Sequence, residues 1–336
     1  MDANEIVSKI KSLHIPHPRY VATQNAIHAH VTLGLEGSVI LLAGPTRVGK
    51  SSLIKSVMPL AFPRRGWAAN TLPYITVLAS PTDRGFMSTR YLLLEMLKAI
   101  QHPFYEGGLP PTRHSTETEM NVHLKPAFAQ RQTRVVVVDE AQHLLRTRDR
   151  RAVAGALDTL KCIGNDSGAI ILLVGGYELL TACFESSHLN GRLTVVNFPR
   201  YTTAAEDAAN FDRILCTFDD RLSFAGRASL FGMRDLIYDG SLGSCGLVSG
   251  WTVAAVSRMH AQGERRLSRK HFQATRFVEQ MTAIRAEIEF GESFLSKFRA
   301  NDPSIPQVPA VGTEKRGNRR PGRRNPTRDP VGAGVA

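Results

Sequence analysis

The residue types best suited to chemistry occur in one short stretch, Gly44-Pro45-Thr46-Arg47-Val48-Gly49-Lys50-Ser51. Its spacing, G-x-x-x-x-G-K-S, is that of a P-loop, in which backbone N–H groups curl around a chain of phosphates. Gly44 and Gly49 let the backbone curl, and the N-terminus of a following helix adds partial positive charge. The Lys50 ammonium can reach the β- and γ-phosphates of ATP, and the Ser51 hydroxyl can ligate Mg²⁺.

The segments on either side of the loop supply the context that the motif needs. Residues 38–42 form a short apolar run typical of a buried strand, and Leu53, Ile54 and Val57 have helical spacing after the loop. Pro59 is expected to end this helix. An ordinary glycine-rich turn is the alternative interpretation, and the order strand, loop, helix disfavours it.

A pair of carboxylates follows four consecutive valines in the stretch R-V-V-V-V-D-E, residues 134–140. Such a run suits the centre of a parallel sheet, and open α/β sheets place ligands at the carboxyl ends of their strands. This is the Walker B pattern, in which Asp139 holds Mg²⁺ through water while Glu140 orients and deprotonates the attacking water. The alternative is a strand end that is acidic by coincidence.

Together the two motifs predict an ATPase that uses Mg²⁺. Ser51 and Asp139 are the predicted metal ligands, and Glu140 and Lys50 are predicted to be catalytic. The residues predicted to bind the nucleotide are Gly44, Pro45, Thr46, Arg47, Val48, Gly49, Lys50, Ser51, Ser52 and Asp139.

The wider pattern predicts an α/β fold with a parallel sheet flanked by helices. The predicted strands are residues 38–42, 73–79, 134–140, 169–174 and 193–198. The extra strand–helix unit that comes with the Walker B strand is typical of the additional-strand type of P-loop ATPase rather than of the kinase type. Helices are also predicted at 118–131, with an interruption at Pro126, and at 152–163, ending near Gly164. After Pro199 only helices are predicted, at 202–221, 227–238, 246–262 and 268–298.

These patterns divide the chain into four predicted parts. They are an N-terminal helical segment (1–36), an α/β nucleotide-binding core (37–200), a small all-α lid (201–299) and a disordered basic tail (300–336). The first part is expected to be peripheral. The tail is rich in Pro, Gly and Arg with few large apolar residues, so it cannot form a core.

Composition limits the class of protein. The net charge is +12 at pH 7, of which residues 301–336 contribute +4 and residues 1–300 contribute +8. Such an excess suits a polyanionic partner. The sequence has no apolar run long enough to span a membrane and no signal-peptide pattern, and its four cysteines are widely spaced. We therefore expect reduced thiols, no zinc site and a cytoplasmic location.

Several segments resemble the TniB/TnsC group of AAA+ ATPases, which regulate target choice for DDE transposases. The P-loop and the stretch V-V-V-V-D-E-A-Q-H-L-L (residues 135–145) resemble the family's Walker motifs. L-D-T-L-K-C-I-G-N-D-S-G-A-I-I-L-L-V-G-G (157–176) is similar to its helix and sensor-1 strand. The stretch from residue 240 to 268 follows its lid pattern, in which a Gly-x-x-Gly turn opens a long helix. The resemblance covers roughly residues 5–285.

The resemblance implies a function and a set of partners. It implies an ATP-dependent DNA-binding regulator that forms a ring or helical filament on duplex DNA, recruits a DDE transposase, works with a TniQ-type target-selection protein and disassembles on hydrolysis. It also assigns Arg192 as the arginine finger, although a solvated surface charge is the alternative. A loader- or secretion-type AAA+ ATPase with a protein client, or a nucleotide-binding scaffold with little turnover, are the other functions considered.

This chain departs from the family pattern at three places. Arg47 replaces the usual glycine inside the P-loop, and Gly176 stands where a polar sensor residue often lies. No arginine occurs at the start of the lid helix, residues 243–247, where a sensor-2 arginine is expected. These departures bear on how the site would respond to the γ-phosphate.

Two basic segments are candidates for contact with DNA phosphates. Directly after Walker B, four arginines with one intervening aspartate would face an axial channel in a ring of subunits; they are Arg146, Arg148, Arg150 and Arg151. A solvated basic loop is the alternative. The tail is the second segment, and because its R-G-N-R-R-P-G-R-R stretch lacks aromatics, only phosphate contact or solubilisation is expected of it.

Overall fold

A computed structural model describes residues 3–81, 88–105, 116–146, 150–186, 189, 191–222, 229–264 and 266–299. The predicted tail and Arg148 lie outside these residues, and of Arg150 and Arg151 only the backbone is described. Met1–Leu295 form one compact unit and Ser296–Ala336 a second. A boundary between a core and a lid at residue 200 stays a prediction.

Five parallel strands form a single sheet with the order β2-β3-β4-β1-β5. The strands are β1 (Val39–Ala43), β2 (Tyr74–Leu78), β3 (Val135–Asp139), β4 (Ile170–Gly175) and β5 (Leu193–Asn197). Because β4 lies between the P-loop strand and the Walker B strand, the sheet is of the additional-strand type that the sequence predicted. The predicted α/β fold with a parallel sheet is confirmed.

Alternate residues of the central strands enter different cores on the two faces of the sheet. Val136 and Val138 of β3 pack with Leu41 on one face, while Val135 and Val137 pack with the opposite core. All four valines are completely buried. This two-sided burial explains why the strand is continuously apolar instead of alternating with polar residues.

Twelve α-helices are described around and after the sheet. They are α1 (Ala3–Ser12), α2 (Pro18–Leu33), α3 (Lys50–Ala61), α4 (Thr89–Ala99), α5 (Glu117–Arg131), α6 (Arg150–Ser167), α7 (Glu178–Glu185), α8 (Ala205–Leu222), α9 (Arg234–Ser241), α10 (Cys245–Ala261), α11 (Arg269–Ala274) and α12 (Val278–Arg299). None of them, within the residues that the structure describes, is long and apolar enough to cross a membrane.

Two proline predictions were wrong. Pro59 lies inside α3 instead of ending it, and Pro126 lies inside an uninterrupted α5. A proline removes the hydrogen bond to the carbonyl four residues earlier. Those carbonyls belong to Lys55 and Val122, both of which are exposed, so water can replace the missing donor.

The predicted single helix over 268–298 is also wrong, because the chain forms α11 and α12 with a break at residues 275–277. The Thr275 hydroxyl donates to the carbonyl of His271 at 2.8 Å, and the Trp251 indole N–H donates to the carbonyl of Phe272 at 3.1 Å. Carbonyls that would continue α11 are therefore used by other partners. The predicted end of the helix near Gly164 was also too early, since α6 continues to Ser167.

The helices after the sheet share a core of their own with the N-terminal segment. Ile6 and Ile10 of α1 are buried in this core, against the side of α10 that carries Trp251 and Val248. The sequence predicted that the N-terminal segment is peripheral. That prediction was wrong, because the segment supplies apolar side chains to the helical core.

A buried aromatic group connects α2 with the end of β5. The His17 ring accepts the Tyr20 N–H at 3.2 Å as the N-cap of α2, and the Tyr201 hydroxyl lies 2.9 Å from the same Nδ1 atom. His17 also stacks on Phe198 with ring centroids 6.2 Å apart. Because Nδ1 accepts the amide N–H, it carries no proton, and Tyr201 must donate to it. Burial, with Arg19 and His14 nearby, lowers the pKa of His17 to about 4.

We predict that His17 makes the protein sensitive to acid. The pKa of His17 is about 4 in the folded state, below the ordinary 6.5, so its contribution to stability is present above pH 6.5 and is lost as the pH falls towards 4. The loss should approach roughly 3 kcal/mol in the free energy of unfolding. Chemical unfolding of the wild type and of His17→Asn, which keeps an N-cap acceptor but cannot titrate, measures it. Parallel pH profiles for the two proteins would contradict the assignment.

Candidate nucleotide site

The P-loop connects the carboxyl end of β1 to the N-terminus of α3. Gly49 is the residue before the helix and has φ +117°, a conformation that favours glycine. Gly44 has no room for a side chain, because a Cβ atom there would lie 2.5 Å from the carbonyl oxygen of Phe198. The two glycines of the motif therefore meet two steric requirements of this fold.

The start of α3 leaves backbone donors at the loop. The first hydrogen bond of the helix runs from the Leu53 N–H to the Gly49 carbonyl at 2.9 Å. The N–H groups of Lys50, Ser51 and Ser52 precede it and have no partner within the helix. Such a set of donors, with the positive end of the helix dipole, is suited to bind phosphate.

The Lys50 side chain folds back into the loop. Its ammonium donates to the carbonyl oxygens of Gly44 at 2.8 Å and Pro45 at 2.9 Å. Lysine carries three N–H donors, so one more is available for a phosphate oxygen. Burial of the ammonium lowers the pKa of Lys50 to about 8, although Glu287, Glu140, Asp139 and Glu178 all act in the opposite direction.

Asp139 and Glu140 lie at the carboxyl end of β3. Glu140 has φ +54°, an uncommon conformation for this residue type, and its N–H donates to Asp139 Oδ1 at 2.9 Å. Both side chains are half-buried, and their charges act on the Lys50 ammonium. The structure thus brings together Walker A and Walker B residues that are about ninety positions apart in the chain.

The sequence did not identify Gln142, which holds the Glu140 carboxylate. Its side-chain amide donates to Glu140 Oε2, and its Oε1 atom accepts the Gly176 N–H at 3.4 Å. A Cβ atom on Gly175 would lie 2.5 Å from Gln142 Oε1. The pair of glycines that ends β4 therefore gives Gln142 the space to connect β4 with the predicted base.

Oxygen donors are available for a magnesium ion. Ser51 stands in the first turn of α3 and Asp139 at the end of β3, and both are half-buried. A hydroxyl and a carboxylate, completed by phosphate oxygens and water, fit the preference of Mg²⁺ for hard oxygen ligands. Ser52 is exposed on the outer side of the same turn.

The P-loop is in direct backbone contact with the start of α10, through Arg47 and Gly246. Arg47 has φ +62°, and its carbonyl accepts the N–H of Gly246 in α10 at 2.9 Å. A Cβ atom on Gly246 would lie 2.2 Å from that carbonyl oxygen. A side chain at this position, including an arginine, would push α10 away from the P-loop.

A second carboxylate group that sequence reasoning missed comes from α12 and α7. The Thr46 hydroxyl donates to Glu287 Oε2 at 2.8 Å, across 241 positions of sequence. Burial and the charge of Glu287 raise the pKa of Glu178, while Arg146, His143 and Lys50 oppose that rise. No local pattern around residue 287 distinguishes it from the other acidic residues of α12.

Arg192 lies near the amino-terminal ends of the strands, whereas the P-loop of the same chain lies at their carboxyl ends. It precedes β5, whose first residue pairs with Val39 at the amino end of β1, and its guanidinium contacts the Asn165 side chain. The rise along β1 from its amino end to its carboxyl end, where the P-loop begins, is about 13 Å. The structure therefore does not bring Arg192 together with Lys50 and Glu140 within one chain.

The arginines predicted to contact DNA are described only in part. Arg146 is exposed at the end of a short 3₁₀ helix (Ala141–Leu145) that follows Glu140. The backbones of Arg150 and Arg151 form the start of α6. A contact of these residues with DNA stays a prediction.

Comparison with known proteins agrees with this geometry. Residues 35–182 match the family described as "AAA domain". The ORC2 protein of Aeropyrum pernix, solved in ADPNP–ADP complexes, is 16% identical with a TM-score of 0.55, covering 80% of this chain and 70% of that one. Drosophila ORC bound to DNA is 14% identical with a TM-score of 0.55, covering 81% of this chain and 64% of that one. No curated protein matches the chain.

These likenesses establish the fold. The parallel sheet, the P-loop and the helical region after the sheet have the arrangement of the P-loop AAA+ fold seen in the Aeropyrum pernix ORC2 protein. The chain spans less than two thirds of the Drosophila protein that it resembles.

We predict that the affinity for ATP depends on the protonation of Lys50. Because its pKa is about 8 in the free protein, the ammonium is charged below pH 8 and is lost above it. A phosphate ligand favours the charged form, so the dissociation constant should rise about tenfold per pH unit above pH 8. Titration with a fluorescent ATP analogue between pH 7 and 9.5 measures this. Lys50→Arg stays charged throughout, so any binding that it retains should be independent of pH.

A wild-type profile that is flat across this range would contradict the predicted role. An equal slope in Lys50→Arg would assign the titration to another group.

Proposed function

We propose that this protein is an ATPase that binds ATP and Mg²⁺ at the P-loop and assembles on duplex DNA in its ATP-bound form. The observation that carries the proposal is the meeting of the Lys50 ammonium with the Asp139 and Glu140 carboxylates at one edge of the sheet. A cationic phosphate contact, a metal ligand and a base are the parts that phosphoryl transfer to water requires.

Each residue of the site has a role in the proposed hydrolysis. The α3 amides and Lys50 bind the phosphates, and Glu140 takes a proton from the attacking water. Gln142 fixes the Glu140 carboxylate through its contact with β4. Mg²⁺, held through Ser51 and Asp139, would neutralise charge on the phosphate oxygens.

Duplex DNA is the partner that best fits the charge of the protein. Residues 1–300 carry a net charge of +8, while the nucleotide site collects acidic side chains, so the basic excess lies elsewhere on the molecule. The Drosophila ORC structure with the same fold is described as bound to DNA. We propose that Arg146, Arg148, Arg150 and Arg151 contact DNA phosphates in an oligomer.

Regulation of transposition is the biological role that we propose. Its support is the resemblance of the Walker, sensor and lid segments to TniB/TnsC proteins, which would give this chain a DDE transposase and a TniQ-type protein as partners. The protein-client and scaffold alternatives predict different rates of ATP hydrolysis with and without DNA. Stimulation of ATP hydrolysis by duplex DNA supports the DNA function, while turnover that ignores DNA favours a protein client and negligible turnover favours a scaffold.

We predict that Glu140→Gln traps the protein on DNA. The substitution keeps the shape of the side chain and removes the base, so hydrolysis should fall by about 10² to 10⁴-fold while ATP binding persists. Dissociation from labelled duplex DNA after dilution should become correspondingly slow. The exposed residue Glu185, substituted as Glu185→Gln, is the matched control. Undiminished turnover in Glu140→Gln would assign the base to another residue, and dissociation as fast as in the wild type would argue against disassembly by hydrolysis.

We propose further that Arg192 acts on the nucleotide of a neighbouring subunit. Its position at the edge opposite its own P-loop leaves it unable to serve in cis and suits a head-to-tail assembly. An arginine finger contributes about 10³ to 10⁵-fold in rate where such residues have been measured. Arg192→Ala should therefore be nearly inactive although its own P-loop is intact.

Mixing two inactive variants tests the role in trans. Arg192→Ala mixed with Lys50→Ala creates some interfaces that pair an intact P-loop with an intact Arg192, so partial ATPase activity should return. Arg192→Lys should also be impaired, because the planar guanidinium is not replaced by an ammonium. If no mixing ratio restores activity between folded, co-assembling variants, Arg192 is a surface charge.

A further inference from the structure

The carboxylate of Glu287 occupies the mouth of the P-loop. Its Oε2 atom accepts the Thr46 hydroxyl at 2.8 Å, and of the carboxylates that act on the Lys50 ammonium it has the strongest effect. Its Oε1 atom lies where a Cβ on Gly176, directly after β4, would come within 2.9 Å of it. Glu287 therefore stands between the P-loop and the end of β4.

Contacts along α12 fix this position. Gly291, one turn after Glu287, lies so close to Tyr177 that a Cβ atom there would be 2.0 Å from the ring. The guanidinium of Arg200 donates to both carboxylate oxygens of Glu292, at 2.8 and 3.0 Å. Leu295 is buried in the core of the sheet. Because the helix is held at several points beyond residue 287, the contact with Thr46 is part of a built interface.

The sequence at β4 makes room for this carboxylate. Gly176 directly follows the strand, and a side chain there would meet the Glu287 carboxylate. Glu178, the next acidic residue, faces the same space, since its pKa is raised by burial and by the charge of Glu287. Two negative side chains thus lie beside the place where an anionic ligand must enter.

A terminal phosphate and the Glu287 carboxylate have the same chemistry. Both are anionic oxygen groups that accept hydrogen bonds and attract the Lys50 ammonium. They compete for one cation and repel each other at short range. The hydrogen-bond donors for which the phosphate and the carboxylate compete are the third N–H of Lys50 and the Thr46 hydroxyl.

We infer that Glu287 is a phosphate-mimicking residue of the nucleotide site, which must leave the mouth of the P-loop before a triphosphate can bind fully. This inference rests on the proposed binding of ATP at the P-loop. Displacement of Glu287 breaks its bond to Thr46 and loosens the hold of α12 on the core. Occupancy by ATP is thereby coupled to the position of α12, and the coupling takes the place of a polar sensor at residue 176.

The same coupling reaches the predicted base. Gly176 donates its N–H to Gln142, and Gln142 in turn holds Glu140. Gly176 therefore connects the position of Glu287 to Gln142, which orients the Glu140 carboxylate. Departure of Glu287 would be felt at the catalytic carboxylate as well as at Lys50.

We predict that Glu287→Gln binds ATP more tightly than the wild type. The amide can still accept the Thr46 hydroxyl but carries no charge, so the variant should fold like the wild type. Removal of the repulsion should tighten binding of ATP about tenfold. The gain for ADP should be smaller, because ADP lacks the phosphate that meets Glu287. Glu289→Gln, an exposed residue two positions along α12, is the matched control and should bind both nucleotides like the wild type.

Calorimetric titration of the full-length proteins with ATP and with ADP distinguishes the outcomes. Equal or weaker ATP binding by Glu287→Gln overturns the inference, and so does an equal gain in Glu289→Gln, which would indicate a general effect of charge. A gain for ADP as large as that for ATP places Glu287 away from the terminal phosphate and also overturns it. If neither the wild type nor any variant binds ATP, the proposed nucleotide function itself fails.

Discussion

The Lys50 ammonium is held away from water by two backbone carbonyls, and the rest of the structure is arranged around that cation. Its pKa of about 8 means that folding disfavours its charged form by roughly 3 kcal/mol. The carbonyls of Gly44 and Pro45 lie within hydrogen-bond distance of this ammonium because the P-loop connects β1 directly to α3. The cost is offset when a phosphate adds negative charge. The free protein therefore has a site that is poised for an anion, and the position of every nearby carboxylate affects it.

Three close approaches around the loop depend on residues without side chains. Gly246 lets α10 contact the Arg47 carbonyl, and Gly176 lets Glu287 come near the P-loop. Gly243 accepts the Tyr201 N–H at 3.0 Å and would clash with the Tyr201 carbonyl if it had a Cβ atom. The contacts of Gly243 and Gly246 are with backbone atoms, and the contact of Gly176 is with the Glu287 side chain.

The nucleotide site is rich in acidic side chains, although the chain as a whole is basic. The nucleotide site collects Asp139, Glu140, Glu178 and Glu287 around one lysine. The chain as a whole is strongly basic, so the positive excess is found outside this site. A molecule with this distribution can bind a polyanion on its surface while its nucleotide site accepts only an anion that provides better contacts than its own carboxylates.

The sequence by itself determined the α/β class, the additional-strand sheet and the P-loop and Walker B residues, because these follow from short stretches in which strand, loop and helix are adjacent. It predicted the strand positions to within a residue or two for the same reason. It did not predict that Pro59 and Pro126 would be accommodated, since this depended on which carbonyls face water. Nor did it reveal the break between α11 and α12, which follows from a carbonyl bonded to Trp251. Only the tertiary structure placed Arg192 away from its own P-loop and brought Glu287 to Thr46 across 241 positions. Such contacts are decided by how helices pack against the sheet, and nothing in the local pattern of either residue records its distant partner.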